Sequence, residues 1–107
     1  MTFGAADRRR LEALHDGEIS YHDHHLGRFM ERLEQLGVAD ETLLVITSDH
    51  GEEFDDHGSW GHGHNIFQEL IGVPLVFHMP GGLPRGRRVT HTVSTMNIAQ
   101  TVLDLTG

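Results

Sequence analysis

The sequence predicts an α/β fold that forms one part of a larger domain, and three observations predict it. The periodicities run helix, strand, polar loop, helix, strand, helix, which is an α/β order. Both candidate strands centre on continuous apolar runs, Leu43-Leu44-Val45-Ile46 and Leu75-Val76-Phe77, with no polar alternation. Such runs suit strands covered on both faces, as in a parallel sheet. Two central strands are also too few for a sheet, because buried parallel strands need neighbours on each side. The competing architecture is a compact two-layer mini-domain. At 107 residues and 12.0 kDa its single core would be marginal, since a chain of this size buries only roughly 65% of its unfolded surface.

The first element is a long helix over residues 7–36. Leu11, Leu14, Ile19, Leu26, Phe29, Met30, Leu33 and Leu36 recur mostly at three- and four-residue steps with charges between them. Asp7 is the expected N-cap and Gly37 the expected C′ residue, with a break near Gly17 as the weak point. A turn over 38–41 leads into a strand over 42–47. Residues 48–65 have no periodicity and contain Gly51, Gly58, Gly61 and Gly63. A connection of that length in a compact domain is usually functional or disordered. Asn65 and Gln68 resemble a capping box that opens a short helix ending by Gly72. A second buried strand follows over 73–79, with Pro74 near its start. Pro80-Gly81-Gly82 makes a turn, 84–88 an exposed basic loop, and 89–93 a short edge strand. Ser94 or Thr95 caps a last helix with Ile98, Val102 and Leu105 on one face, stopped by Gly107.

Composition removes several function classes. Sixteen acidic residues against eight basic ones give a net charge of -8, which argues against nucleic acid as a partner, since phosphate binders need a concentrated positive face. The absence of cysteine excludes a disulfide framework, a thiolate metal site and a cysteine nucleophile within these residues. No apolar run approaches the roughly 20 residues of a membrane span, and residues 1–10 lack the apolar centre of a signal peptide. The unusual feature is ten histidines with no lysine.

Ligands in open α/β sheets collect beyond the carboxyl ends of strands, and Ser48-Asp49-His50-Gly51-Glu52-Glu53 occupies that position. Asp49 supplies a hard oxygen and His50 an imidazole nitrogen, a donor pair suited to a divalent ion. The competing reading makes Asp49 a turn cap and His50 a surface ring. Gly51 lets the chain bend behind them. His57, His62 and His64 add three imidazoles to the same loop, each able to bind metal, move a proton or face an anion. The competing reading there is an accidental histidine-rich surface, against which the glycines and the strand end favour a shaped site. Glu52 and Glu53 read either as partners of His50 or as surface charges. His22 and His25 lie one turn apart on the long helix but lack the glutamate of the helical zinc motif. Asp16 and Asp23 share a face there with structural roles. Residues 8–10 read as a solvated arginine cluster, and Arg85, Arg87 and Arg88 as an exposed loop.

The residues also carry a family resemblance. Asp16-Gly17-Glu18-Ile19 through Asp23 and Gly27, then Thr47-Ser48-Asp49-His50-Gly51-Glu52, His57-Gly58, Gly61-His62-Gly63-His64 and Val73-Pro74-Leu75-Val76 resemble the sulfatase family of the alkaline-phosphatase-like superfamily. The resemblance runs from about His15 to Gly107, and the order and spacing of these motifs are specific. It implies a partial alkaline-phosphatase-like sandwich: a mixed, mainly parallel sheet flanked by helices, incomplete in this chain. It implies a metal-dependent hydrolase of sulfuric esters, on small molecules or glycans, using a divalent cation, calcium first and magnesium or manganese otherwise. Asp49 and His50 match the family's second pair of metal positions. His62, thirteen residues after Asp49, matches a cationic residue that contacts the anion or leaving-group oxygen, with His64 as the alternative.

Three departures qualify the match. The nucleophile motif, a Cys or Ser preceding Pro and a Ser-x-Arg-like run, is absent, as is the first pair of aspartate ligands. Asn97 and Gln100 stand where the family has an aspartate and a proline. Residues 1–107 are therefore expected to be the C-terminal part of a sulfatase catalytic domain, inactive alone, with the formylglycine nucleophile outside this chain. Its partner is then the missing N-terminal part or, failing that, a second copy. Compartment does not follow from these residues, although intact relatives are often exported. The alternatives are a phosphonate or phosphodiester hydrolase or phosphoglycerol transferase of the same superfamily, or a non-catalytic histidine-rich domain binding a metal or a partner.

Overall fold

The structure, a computed structural model, describes residues 4–107. Helix α1 spans Ala5–Gln35 without a break at Gly17. Its N-cap is Gly4 rather than Asp7: the Gly4 amide donates to Asp7 Oδ2 at 2.9 Å, and the Gly4 carbonyl accepts from Asp7 and Arg8. Asp7 thus works from the first turn inward, where its charge also suits the helix dipole. Gly37, at φ 71°, takes the left-handed position past the C-terminus. A single 3₁₀ turn, Ala39–Glu41, leads to β1, Leu44–Thr47.

The remaining elements are β2 (Glu53–Phe54), β3 (Trp60–Gly61), α2 (Gln68–Ile71), β4 (Leu75–His78) and α3 (Ile98–Thr106). The loop after β1 is therefore partly ordered by a hairpin too short to leave a periodic trace. Strands β1 and β4 pair directly and antiparallel, Leu44 opposite His78 and Thr47 opposite Leu75. This corrects the expectation of parallel strands. The apolar runs reported burial, which is common to both pairings, whereas direction depends on how the chain returns. Here the chain returns through the loop and α2 to lie beside β1 in the opposite sense. Both described sheets are two-stranded and antiparallel, so the α/β class holds while the mainly parallel sheet is not formed within these residues.

Two local expectations are also corrected. Asn65 is not the first residue of a capping box: α2 is capped at Phe67, and Asn65 Oδ1 instead accepts from the Phe67 amide at 3.1 Å. Residues 89–93 form no strand, because nothing pairs with them. The last helix begins as predicted. Ser94 Oγ accepts from the Met96 amide at the entrance to a 3₁₀ turn, and Ile98, Val102 and Leu105 form the half-buried face of α3.

Packing within the described residues is sparse. Among the described residues the only fully buried ones are Leu70 and Glu53. The accessible surface is 8636 Å², against roughly 6,000 Å² for a compact 12-kDa protein. The radius of gyration is 17.3 Å, against about 13 Å for a compact chain of this length. Two open grooves account for part of the excess. One of about 670 Å³ separates Met30 and Leu33 of α1 from Leu44 and Phe77 of the sheet. A second of about 1330 Å³ lies between β4 and residues 89–95. A two-stranded ribbon such as β1–β4 is marginal alone.

Candidate active site

Strand β1 ends at Thr47, and the next residues turn out of the sheet. Asp49 Oδ1 accepts from the His50 amide at 3.1 Å, fixing the carboxylate beside its neighbour's ring. His50 Nδ1 lies 2.8 Å from the Gly51 carbonyl. A carbonyl only accepts, so Nδ1 carries the proton and Nε2 is left with its lone pair. That Nε2 lies 3.7 Å from Asp49 Oδ1. The two atoms with metal-ligating chemistry therefore point into one space, and the Asp49 side chain is 89% exposed there. Their donor types and shared aim fit one side of a divalent-cation site.

His62 joins this pair. Its ring stacks on His50 with centroids 3.8 Å apart and planes at 25°, and its Nδ1 lies 3.2 Å from Glu52 Oε2. His64 does not: its Nδ1 faces the His62 carbonyl at 3.2 Å and its Nε2 faces Glu53 Oε2 at 3.3 Å, so both nitrogens are engaged. His57 is engaged elsewhere too, with Nδ1 2.5 Å from Glu69 Oε1 and its ring stacked on Phe67 at 3.9 Å.

The organiser of this loop is Glu53, fully buried at the start of β2. Oε1 accepts from the backbone amides of His57 (2.9 Å) and Ser59 (3.2 Å), and Oε2 from Asn65 Nδ2 (2.8 Å), with His64 at 3.3 Å. Burial acts to raise its pKa. The bonds from Asn65, His57, Ser59 and His64 outweigh it and hold the carboxyl down at about 2, against an ordinary 4.5. A depressed folded-state pKa stabilises the fold fully above the unfolded value, and that stability drains away as pH falls from about 4.5 towards 2. The expected result is an acid-induced change in Trp60 fluorescence across that window, with the Glu53-dependent phase missing in Glu53→Gln.

Glu53, His57 and Glu69 also bring one donor atom each within 4.8 Å of one another. Four donors already fill the lone-pair positions of Glu53, and His57 spends its Nδ1 on Glu69, so the group works as a clasp between loop and helix. Gly51 belongs to the same clasp. Its amide donates to the Leu70 carbonyl at 2.8 Å, and a Cβ built on it would sit 1.9 Å from the Glu69 carbonyl oxygen. Gly51 is thus required for close approach rather than for a bend.

The hairpin is held against α1 by the edge contact of His15 on Phe54 (centroids 5.3 Å), and within the hairpin Phe54 meets Trp60 (6.5 Å). Arg8 adds ion pairs to Glu12 (2.8 Å) and Asp56 (3.1 Å), so this arginine of the 8–10 cluster bridges two elements rather than standing in solvent. The Phe54 amide and Arg8 together hold the Asp56 carboxyl below the usual range. His22, His24 and His25 lie far along α1 in ring contacts with one another and Tyr21. They form no three-donor group among the described residues.

Sequence reasoning missed the roles of Glu53, Glu52 and Glu69. An adjacent Glu pair after a strand gives no sign of which member is buried. The clue it does offer is the count of His-Gly and Gly-His steps, each leaving amides that need an acceptor.

Comparison with known proteins identifies the family. The Sulfatase family model matches residues 3–107. The low-salt glycan biosynthesis sulfotransferase Agl7 of Haloferax volcanii is 30% identical over 94% of this chain and 26% of its own length. Human iduronate 2-sulfatase is 35% identical over 69% of this chain and 13% of its own. Choline-sulfatase of Rhizobium meliloti is 33% identical over 92% of this chain and 19% of its own. The chain thus spans about a quarter or less of the length of these curated relatives, and no solved structure gives a significant match. With the match running along almost every residue, including the loop that carries Asp49, His50 and His62, the chain belongs to the sulfatase family.

Proposed function

We propose that the protein containing this chain is a metal-dependent hydrolase of sulfuric esters, and that residues 1–107 are part of its catalytic domain. The observation that carries this reading is the convergence of Asp49 Oδ1 and His50 Nε2, 3.7 Å apart at the end of β1, with the His62 ring stacked on His50. In this reading Asp49 and His50 hold one side of a divalent cation, calcium or else magnesium or manganese. Bound there, the cation supplies positive charge to the ester's non-bridging oxygens.

His62 acts on the other end of the ester. With Nδ1 turned to Glu52, its Nε2 is the nitrogen left to meet the leaving-group oxygen and to donate a proton as that oxygen departs. His64 supports the loop through Glu53 rather than meeting substrate. The formylglycine nucleophile and the remaining ligands come from outside these residues. Those parts also cover the grooves beside α1 and β4, a task that otherwise falls to self-association. Glycan and small-molecule sulfate esters are the substrate class, in line with the iduronate and choline sulfatase names of two relatives. The name of the Haloferax relative favours a second reading, sulfuryl transfer to a hydroxyl acceptor.

The test is release of inorganic sulfate from 4-nitrophenyl sulfate by the intact protein, expected to stop with EDTA and to return with one divalent ion. Hydrolysis of phenyl phosphonate esters in preference to sulfate would move the protein to the phosphonate branch. Sulfated product formed only with an added hydroxyl acceptor would identify a transferase.

A further inference from the structure

We infer that Glu52 is a positioning residue for His62, fixing which ring nitrogen faces the substrate; this rests on the leaving-group role proposed above. Both carboxylate oxygens of Glu52 converge on one atom, His62 Nδ1, at 3.2 and 3.4 Å. A carboxylate accepts, so Nδ1 carries a proton, and Nε2, directed away from Glu52, carries the second proton of the imidazolium that donates to the leaving group. The stack on His50 removes the remaining freedom, because a rotated ring would lose either the carboxylate or the 25° face contact. Two further features build the arrangement. Glu52 is three-quarters covered, with its side chain 24% exposed. Gly61, at φ 82°, takes the left-handed conformation that leads the chain from β3 into His62.

Glu52 also sits two residues after His50, so the backbone that turns Asp49 and His50 toward one space carries the carboxylate that orients the ring stacked on them. Without it, the His62 ring can flip about its terminal torsion. The fraction of molecules with Nε2 correctly presented then falls. The loss is one of orientation, so it appears in kcat and not in KM.

The experiment compares wild type, Glu52→Ala, Glu52→Gln, His62→Ala and the Glu52→Ala/His62→Ala double variant of the intact protein. Glu52→Ala is expected to lower kcat on phenyl sulfate by about 10–100-fold with KM unchanged. The loss should be much smaller on 4-nitrophenyl sulfate, whose leaving group needs less protonation. Glu52→Gln, whose amide oxygen still accepts from Nδ1, should recover part of the loss, and the double variant should be no slower than His62→Ala. Equal losses on both esters, or additive effects in the double variant, would overturn the inference. A second readout does not depend on turnover: ¹⁵N correlation spectra of the imidazoles, taken where the His62 ring is neutral, should show the Nδ1–H tautomer in wild type and mixed tautomers in Glu52→Ala. An unchanged His62 pattern in Glu52→Ala sinks the inference even if sulfate is released. A wild type that releases no sulfate while the tautomer shifts as expected removes the hydrolase reading and leaves the positioning intact.

Discussion

Gly51→Ala is expected to destabilise the protein by about 3 kcal/mol, near the upper end for an overpacked site. The added Cβ would lie 1.9 Å from the Glu69 carbonyl oxygen, 3.0 Å from its carbon and 3.4 Å from Leu70 Cα. All three atoms are backbone, so no rotamer change relieves the clash and α2 as a whole must retreat. That retreat breaks the 2.8 Å bond from the Gly51 amide to the Leu70 carbonyl and withdraws Glu69 from His57. It also uncovers Leu70, the one fully buried apolar residue described. A loss of that size shifts the folded-to-unfolded ratio by roughly a hundredfold. Urea denaturation of the intact protein measures it, and proteolysis within residues 48–72 locates it. Gly17→Ala supplies the opposite sign. Nothing lies within 4 Å of its Cβ position in the middle of α1, so alanine should stabilise the helix by about 0.5–1 kcal/mol. Equal stability of Gly51→Ala and wild type would mean that loop and helix do not approach as described.

Asp49→Ala is expected to act on chemistry and leave folding intact. Its side chain is 89% exposed, and the one hydrogen bond recorded for it is from the adjacent His50 amide, so little packing is lost. As a ligand it should matter more than the supporting residues around a metal, whose loss costs about 10–100-fold. Metal affinity and sulfate release should therefore both fall by at least about 100-fold. Excess metal should restore part of the activity, because His50 and the ligands from the rest of the domain remain. Metal content by mass spectrometry and activity against added calcium or manganese check both halves. Full metal content and full turnover in Asp49→Ala would remove it from the site.

Local chemistry was legible in the sequence wherever the signal was short-range. The long helix, its glycine stop, the positions of β1 and β4 to within two residues, and the Ser94-capped last helix each follow from periodicity and caps that neighbouring residues supply. So does the placement of Asp49 and His50 past a strand end, because a strand followed by a polar glycine-rich loop delivers its first residues to the sheet's edge. The motif order extended this to the family, and the family match bears it out.

The tertiary structure alone decided which groups meet. Strand direction, the short hairpin inside residues 48–65, the sorting of His57, His62 and His64 onto Glu69, Glu52 and Glu53, and the sharing of His62 rather than His64 with the Asp49–His50 pair all depend on contacts between residues distant in sequence. Sequence spacing fixes which side chains are near a turn, but burial, which forced Glu53 to collect four donors, exists only once the loop has closed over it. The same reason makes Gly51 essential: a missing side chain has no meaning until another backbone occupies its space.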